Sequence, residues 1–313
     1  MEIYYTDHYV LPLPPGHRFP MRKYRALRER VSELAGTCMH VPAPASDDAL
    51  MRVHDVAYIA AVRDGTLSVS ELRRIGFPWT EAMAERALRS AGATIAACRA
   101  ALAHGCGINL AGGTHHAHRA HGAGFCVFND VAVAARAMQA TERVARVLVV
   151  DLDVHQGDGT AAIFAGDDTV FTFSMHGRNN FPFRKASSDV DIELDDSTPD
   201  APYLAVLAAA LPRVMQRSSP DLAIYLAGAD PFEGDRLGRL ALSKAGLAAR
   251  DRLVIDALRR AGVAVAIVMA GGYAENVDDV VDIHVNTVHV ALECFGLANA
   301  ARFTRSAPHI GAC

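Results

Sequence analysis

The sequence predicts an α/β protein of three layers, α/β/α, with a central, mostly parallel sheet covered by helices on both faces. Two observations carry that expectation. Short, continuously apolar runs alternate with longer Ala/Leu/Arg-rich stretches, the pattern of strands buried on both faces and joined by crossover helices. The chain also has 313 residues, 51% of them hydrophobic and 21% charged, enough to bury one large core.

In chain order, residues 108–111, 146–150, 169–174, 222–226, 263–269 and 283–290 read as strands, each a short run rich in Val, Ile and Leu. Residues 83–103, 130–140, 203–215 and 244–260 read as helices, because their apolar positions recur at helical spacing. The Pro/Ser/Asp-rich stretches 41–49 and 195–201 are too short for interdomain linkers and read as surface loops, so a single domain over 1–313 is expected. The apolar segment 284–298 suits a core segment or part of a subunit interface, which leaves an oligomer open.

The first residues lack a basic region followed by an apolar one, and the longest apolar runs, such as 263–270, are too short to span a bilayer. A soluble, cytoplasmic protein is expected, with no membrane partner. Cys38, Cys98, Cys106, Cys126, Cys294 and Cys313 form no CxxC pair and suit reduced thiols. A formal net charge of -4 argues against direct nucleic-acid binding. The local cluster of His17-Arg18 with Arg22-Lys23-Tyr24-Arg25 reads as a mostly solvated loop or helix start.

Chemically suggestive groups follow the carboxyl ends of five of the expected strands. His115 and His116 come after the first, Asp153 and His155 after the second, Ser174 to His176 after the third, Asp230 after the fourth and Tyr273 after the fifth. Ligands bind along that edge of a parallel sheet. Asp153 and His155 are two residues apart, which in an extended segment puts both side chains on one side. With Asp230 they supply three N/O metal ligands and leave a fourth position open, the arrangement of a catalytic zinc site. Such an ion lowers the pKa of its bound water toward about 7. The adjacent histidines are candidate proton carriers, and Asp151 and Asp158 are candidate acceptors that would fix their tautomers. Tyr273, after Ala270-Gly271-Gly272, can polarise a carbonyl opposite the metal. Each group also has a plainer reading: a Gly-rich turn capping the next helix for 151–159, loop histidines for the pair, and a buried tyrosine for Tyr273. His118 and His121 can be read as further ligands and are placed here as loop or rim residues.

These residues resemble the histone deacetylase superfamily of the arginase/deacetylase fold, and most of all its class IV branch with related bacterial proteins. The resemblance rests on His54-Asp55 with Tyr58, Gly112-Gly113-Thr114-His115-His116, Gly124-Phe125-Cys126 with Asn129-Asp130, the DxDxHxGDG run from Asp151, Phe173-Ser174-Met175-His176, Ala227-Gly228-Ala229-Asp230 with Glu233-Gly234-Asp235, and Gly271-Gly272-Tyr273. It implies Asp153, His155 and Asp230 as ligands of one zinc ion, or of iron in its place. It implies His115 paired with Asp151 and His116 with Asp158, with His116 as general base, His115 chiefly electrostatic and Tyr273 as carbonyl-polarising residue. Gly124, Phe125 and Phe181 are implied to line an acyl-lysine channel. A structural potassium ion is implied near Asp151, Asp153, His155, Ser174 and Met175. Gln156 stands where many relatives carry histidine, and Ala270 shortens a glycine run.

The implied activity is zinc-dependent hydrolysis of the amide of N-ε-acyl-lysine in proteins or peptides, with long acyl chains included in the class IV branch. Two alternatives stand beside it. One is deacetylation of small acylated amines or polyamines, which an acidic gate at the channel mouth would favour, with Glu233 or Asp235 as candidates for it. The other is a non-catalytic acyl-lysine binding protein. Arginase-type chemistry, with two manganese ions, needs more carboxylate ligands than are evident.

Overall fold

A computed structural model describes residues 1–296 other than Pro15, Ala35 and Arg143; Cys313 and the end of the 284–298 segment fall outside the described residues. Eight strands form one sheet: β1 (Glu2–Tyr4), β2 (Cys38–His40), β3 (Cys106–Asn109), β4 (Val147–Asp151), β5 (Val170–Gly177), β6 (Val190–Leu194), β7 (Leu222–Leu226) and β8 (Ala264–Val268). Their order is β2-β1-β3-β8-β7-β4-β5-β6, and every pairing is parallel.

The uninterrupted apolar strands follow from burial on both faces. Along β7, Ala223 and Tyr225 join one core, while Leu222, Ile224 and Leu226 join the other; β4 and β8 alternate in the same way. The first core is closed by α1 (Arg22–Ser32), α8 (Asp200–Ser218), α9 (Lys244–Arg260) and α10 (Val277–Phe295). The second is closed chiefly by α2 (Asp47–Met51), α3 (Val56–Asp64), α5 (Glu81–His104) and α6 (Asp130–Thr141), with α4 (Val69–Ile75) against it. A short helix, α7 (Asp158–Ile163), follows β4. The helix boundaries have local causes: Thr80 caps α5 by accepting the Met83 N–H, and Asn129 caps α6 by accepting that of Ala132.

Residues 283–290 are not a strand but lie within α10. Their β-branched composition suggested a strand. The buried positions Val277, Val280, Val281, His284, Val285, Val288 and Ala291 nevertheless recur every three or four residues, and that stripe packs against α1 and α9. The short strands β1, β2 and β6 escaped the sequence pattern: β1 and β2 have three residues each, and β6 alternates polar and apolar residues at the sheet edge. Ser174 to His176 lie inside β5, which runs on to Gly177, and not beyond its end. No described helix is long and apolar enough to cross a membrane. Cys98, Cys106 and Cys126 are buried free thiols, Cys38 is an exposed one, and Cys294 is buried in α10.

Candidate active site

Five adjacent strands, β3-β8-β7-β4-β5, present their carboxyl ends side by side, and the loops that leave them bring the candidate groups together. Ligand atoms of Asp153, His155 and Asp230 all lie within 4.8 Å of one another, and all three residues are buried. His155 Nδ1 stands 3.0 Å from Asp153 Oδ1 and 3.3 Å from Asp230 Oδ2. Backbone N–H groups hold both carboxylates: Gly271 donates to Asp153 Oδ2 at 2.8 Å, and Val154 to Asp230 Oδ1 at 2.9 Å. Asp230 Oδ2 has no hydrogen-bond partner although it is buried. Only glycine fits at position 271, where a Cβ would come within 1.9 Å of that oxygen.

An orphaned buried carboxylate oxygen aimed at a second carboxylate and an imidazole fits a divalent cation. Crowding of the carboxylates shows in their protonation. Burial, reinforced by the Asp153 charge, lifts Asp230 to about 7. Burial opposes ionisation of Asp153 too, but His115 and His155 hold it below the usual carboxylate range. Burial likewise opposes the charge on His155, yet the adjacent carboxylates of Asp153 and Asp230 raise it to about 10.

The adjacent histidines take opposite states. His115 Nδ1 donates to Asp151 Oδ2 at 2.7 Å, and His116 Nδ1 to Asp158 Oδ1 at 2.6 Å, their ring centroids 4.2 Å apart. Burial disfavours charge on His115, but Asp151 and Asp153 outweigh it and raise the ring to about 9. Burial and the His115 charge lower His116 to about 4 despite Asp158. Two identical side chains in sequence are thus pushed in opposite directions, His115 toward the cation and His116 toward the neutral ring. His118 is not part of the Asp153/His155/Asp230 cluster. Its Nε2 lies 3.2 Å from Asp158 Oδ2, and its ring stacks on His121 at 4.5 Å.

Tyr273 is buried, and desolvation together with Asp153 and Asp230 raises its phenol well above the ordinary value, so it is a neutral donor. Asp235 accepts the N–H groups of Tyr273, Leu237 and Gly238 at 2.6, 2.8 and 2.9 Å. That carboxylate is therefore spent on shaping the tyrosine loop and forms no acidic gate. Glu233 is exposed and lies outside the described lining of the mouth.

The sequence reading missed several supports. Lys23, expected on a solvated basic cluster, is buried: Nζ donates to Gly272 O at 3.2 Å and lies 5.2 Å from the Tyr273 ring centroid. Arg22 and Arg25 are exposed as expected. The signal was the four-residue spacing of Lys23, Leu27 and Val31 along α1, all buried. Arg250, one of several arginines in α9, is fully buried and paired with Asp251; its Nη1 donates to Gly228 O at 2.6 Å and Leu152 O at 3.3 Å, in the loops that carry Asp230 and Asp153. His54 Nε2 accepts the Asn129 N–H at 2.9 Å, and its Nδ1 donates to His118 O and Arg119 O, which ties down the histidine loop. Gln156 binds Ala186 and Asp191, fixing the segment that leads into β6.

A cavity of about 790 Å³ opens outside the site. His116, His155 and Tyr273 lie among its lining residues, with Gly124, Phe125 and Phe181. The Phe181 ring stands 4.9 Å from His116, and Phe125, held at φ 66°, stands 5.9 Å from Tyr273. Two smaller cavities of about 50 Å³ each share Phe19, Tyr24, Gly112, Thr114 and Phe125; the one that touches Asp153 and His155 leads toward a second walled by Leu11, Phe77, Met83 and Val127. Ser174 and Met175 sit on β5 next to β4, Ser174 in register with Asp151.

The signature of the histone deacetylase domain matches residues 17–288. The chain belongs to the histone deacetylase family. It is 45% identical over 285 residues to an uncharacterized protein of Picosynechococcus sp., a match covering 90% of this chain and 95% of that one. It is 30% identical to histone deacetylase 2 of Arabidopsis thaliana, covering 75% of this chain and 63% of that protein. Acetoin utilization protein AcuC of Staphylococcus aureus is 31% identical, with 64% and 57% covered. The chain thus spans roughly three fifths of the length of those last two relatives. The crystal structure of the HDA15 HD domain aligns with a TM-score of 0.79 at 22% identity, covering 96% of this chain and 94% of that one, which shows that the deacetylase fold is shared. The resemblance to this superfamily therefore holds over residues 17–288, and the parallel architecture is that of the shared fold.

Proposed function

We propose that this histone deacetylase family member hydrolyses the amide of N-ε-acyl-lysine in a peptide or protein, as one catalytic domain with one divalent ion. The observation that carries the reading is the convergence of a neutral imidazole, a neutral phenol and a three-ligand metal cradle at the base of one aromatic channel. Asp153, His155 and Asp230 would hold zinc, or iron in its place. When bound, that ion supplies a Lewis acid that makes water a nucleophile near neutral pH.

The chain's own residues perform the proton transfers. Asp158 fixes the proton of His116 on Nδ1, which leaves Nε2 as acceptor. His116 Nε2 takes a proton from water as its oxygen bonds to the amide carbon, and returns that proton to the lysine nitrogen as the C–N bond breaks. Tyr273 donates its O–H to the amide oxygen as negative charge develops there. His115, cationic against Asp151, lowers the energy of that charge from behind. Phe125 and Phe181 flank the lysine methylenes, and Gly124 leaves room between His116 and Phe181, where a Cβ would lie 2.6 Å from the imidazole. The acyl group points toward the small inner cavities. A structural potassium ion beside Asp151, Asp153, His155, Ser174 and Met175 belongs to the same reading, supported by the register of β4 with β5.

The test is hydrolysis of one lysine peptide carrying acyl groups from acetyl to myristoyl by zinc-reconstituted protein, with Tyr273→Phe as control. Loss of one oxyanion donor is expected to lower kcat by about 10²–10³ while zinc content stays stoichiometric. Near wild-type turnover in the variant would remove Tyr273 from the mechanism.

A further inference from the structure

The channel mouth is cationic in a chain whose net charge is -4. Arg18, Arg74, Arg236 and Arg239 line it, and no Asp or Glu is among its described lining residues. All four arginines are exposed. They come from separate segments: the loop before α1, helix α4, and the turn after Asp235. Arg239 pairs with Asp196 at 3.1 Å. Arg236 donates to two backbone oxygens, Tyr273 O at 2.9 Å and Arg18 O at 3.3 Å, so its charge is not neutralised by a carboxylate. Arg18 and Arg74 form no ion pair among the described residues, and the acid nearest Arg74 in sequence, Glu71, is held by Ser68 at the start of α4. Arg18 and Arg236 also face each other with Leu237 across a smaller cavity of about 280 Å³. Phe183, 86% exposed, adds an apolar contact at the same mouth.

We infer that the substrate is an acyl-lysine flanked by acidic residues. The inference rests on the acyl-lysine reading above and names the sequence context that reading leaves open. A lysine that enters the channel places its neighbours at the rim, since each extended residue advances the chain by about 3.3–3.6 Å. Carboxylates there meet guanidinium groups able to bind them in two-pronged fashion. A basic flank meets like charge, and so does the second ammonium of an acylated polyamine. The rim therefore selects against the small cationic substrates that an acidic gate would favour.

The experiment compares kcat/KM for three acetyl-lysine peptides, identical except for Asp/Glu, Ser/Gly or Lys/Arg flanks, and for a monoacetylated polyamine, at low and high salt. The expected order is acidic, neutral, basic, with about tenfold between the extremes and a gap that narrows with salt, because exposed charges are screened over roughly 8–10 Å at physiological ionic strength. In Arg18→Glu/Arg74→Glu the preference should collapse or invert. Equal rates for the three peptides, or a basic preference, in the wild type would overturn the inference. Binding of the same labelled peptides to Tyr273→Phe, read by anisotropy, separates the two readings. Tighter binding of the acidic peptide without turnover by the wild type would keep the rim selectivity and sink the hydrolase reading; turnover of all peptides with equal binding would do the reverse.

Discussion

Acid should loosen this protein through a histidine that touches neither the Asp153/His155/Asp230 cluster nor the channel lining. His54 is 1% exposed, its Nδ1–H is given to the carbonyls of His118 and Arg119, and its Nε2 receives the Asn129 N–H. Burial lowers the ring from 6.5 to about 4, only partly offset by the two carbonyls. The folded state therefore keeps the ring neutral where the unfolded chain protonates it. Between those values the unfolded state binds more protons, so the contribution of His54 is full above pH 6.5 and is lost as pH falls toward about 4. At 1.36 kcal/mol per unit, the depression corresponds to about 3 kcal/mol. His54→Phe keeps an aromatic ring beside Phe128 but leaves the Asn129 N–H unpaired, at a cost of about 1–3 kcal/mol that does not vary with pH. Urea unfolding of both proteins in chelator, from pH 7.5 to 4.5, should show wild type ahead at the upper end and its advantage falling by about 2–3 kcal/mol on acidification, enough to close or reverse it. His116 and His176, also lowered to about 4 chiefly by burial, titrate in both proteins and cancel in the difference. Parallel curves would refute the assignment of acid sensitivity to His54.

Three further outcomes are expected. Asp230→Asn removes the carboxylate whose Oδ2 faces Asp153 and His155 without a partner, and bound zinc measured after gel filtration should fall well below one per chain; stoichiometric metal would refute the ligand set. Asp251→Ala strands the fully buried Arg250 and removes the acceptor of Tyr225 and Thr287, so unfolding free energy should drop by about 3–5 kcal/mol, and a loss under 1 kcal/mol would contradict the buried pair. Lys23→Met frees the Gly272 carbonyl and removes the cation over Tyr273; kcat should fall about tenfold with zinc content unchanged and Lys23→Arg largely restoring it, whereas an effect on KM alone would place Lys23 elsewhere.

The parts of the site that were legible in sequence share a physical reason. Asp153 and His155 are two residues apart in an extended segment, so local geometry alone puts them on one side, and Asp230 and Tyr273 follow apolar runs whose ends face one edge of a parallel sheet. Lys23 and Arg250 were not legible, because a cation on an amphipathic helix looks solvated until its partner is known; each is buried against carbonyls distant in the chain. Residues 283–290 misled for a related reason, since β-branched content is a weak preference that a helical stripe packed between α1 and α9 overrides.

By itself the sequence determined the α/β alternation, the motifs that mark a histone deacetylase relative, and the chemical types available at the strand ends, all of which are local patterns of period two or 3.6. Only the tertiary structure decided the strand order β2-β1-β3-β8-β7-β4-β5-β6, which sets β3, β8, β7, β4 and β5 side by side and so assembles the site. It also decided that the surroundings push His115 toward the charged form and His116 toward the neutral one, and that four arginines line the mouth. Burial and the sum of nearby charges are properties of three-dimensional neighbours, and a residue's position along the chain does not contain them.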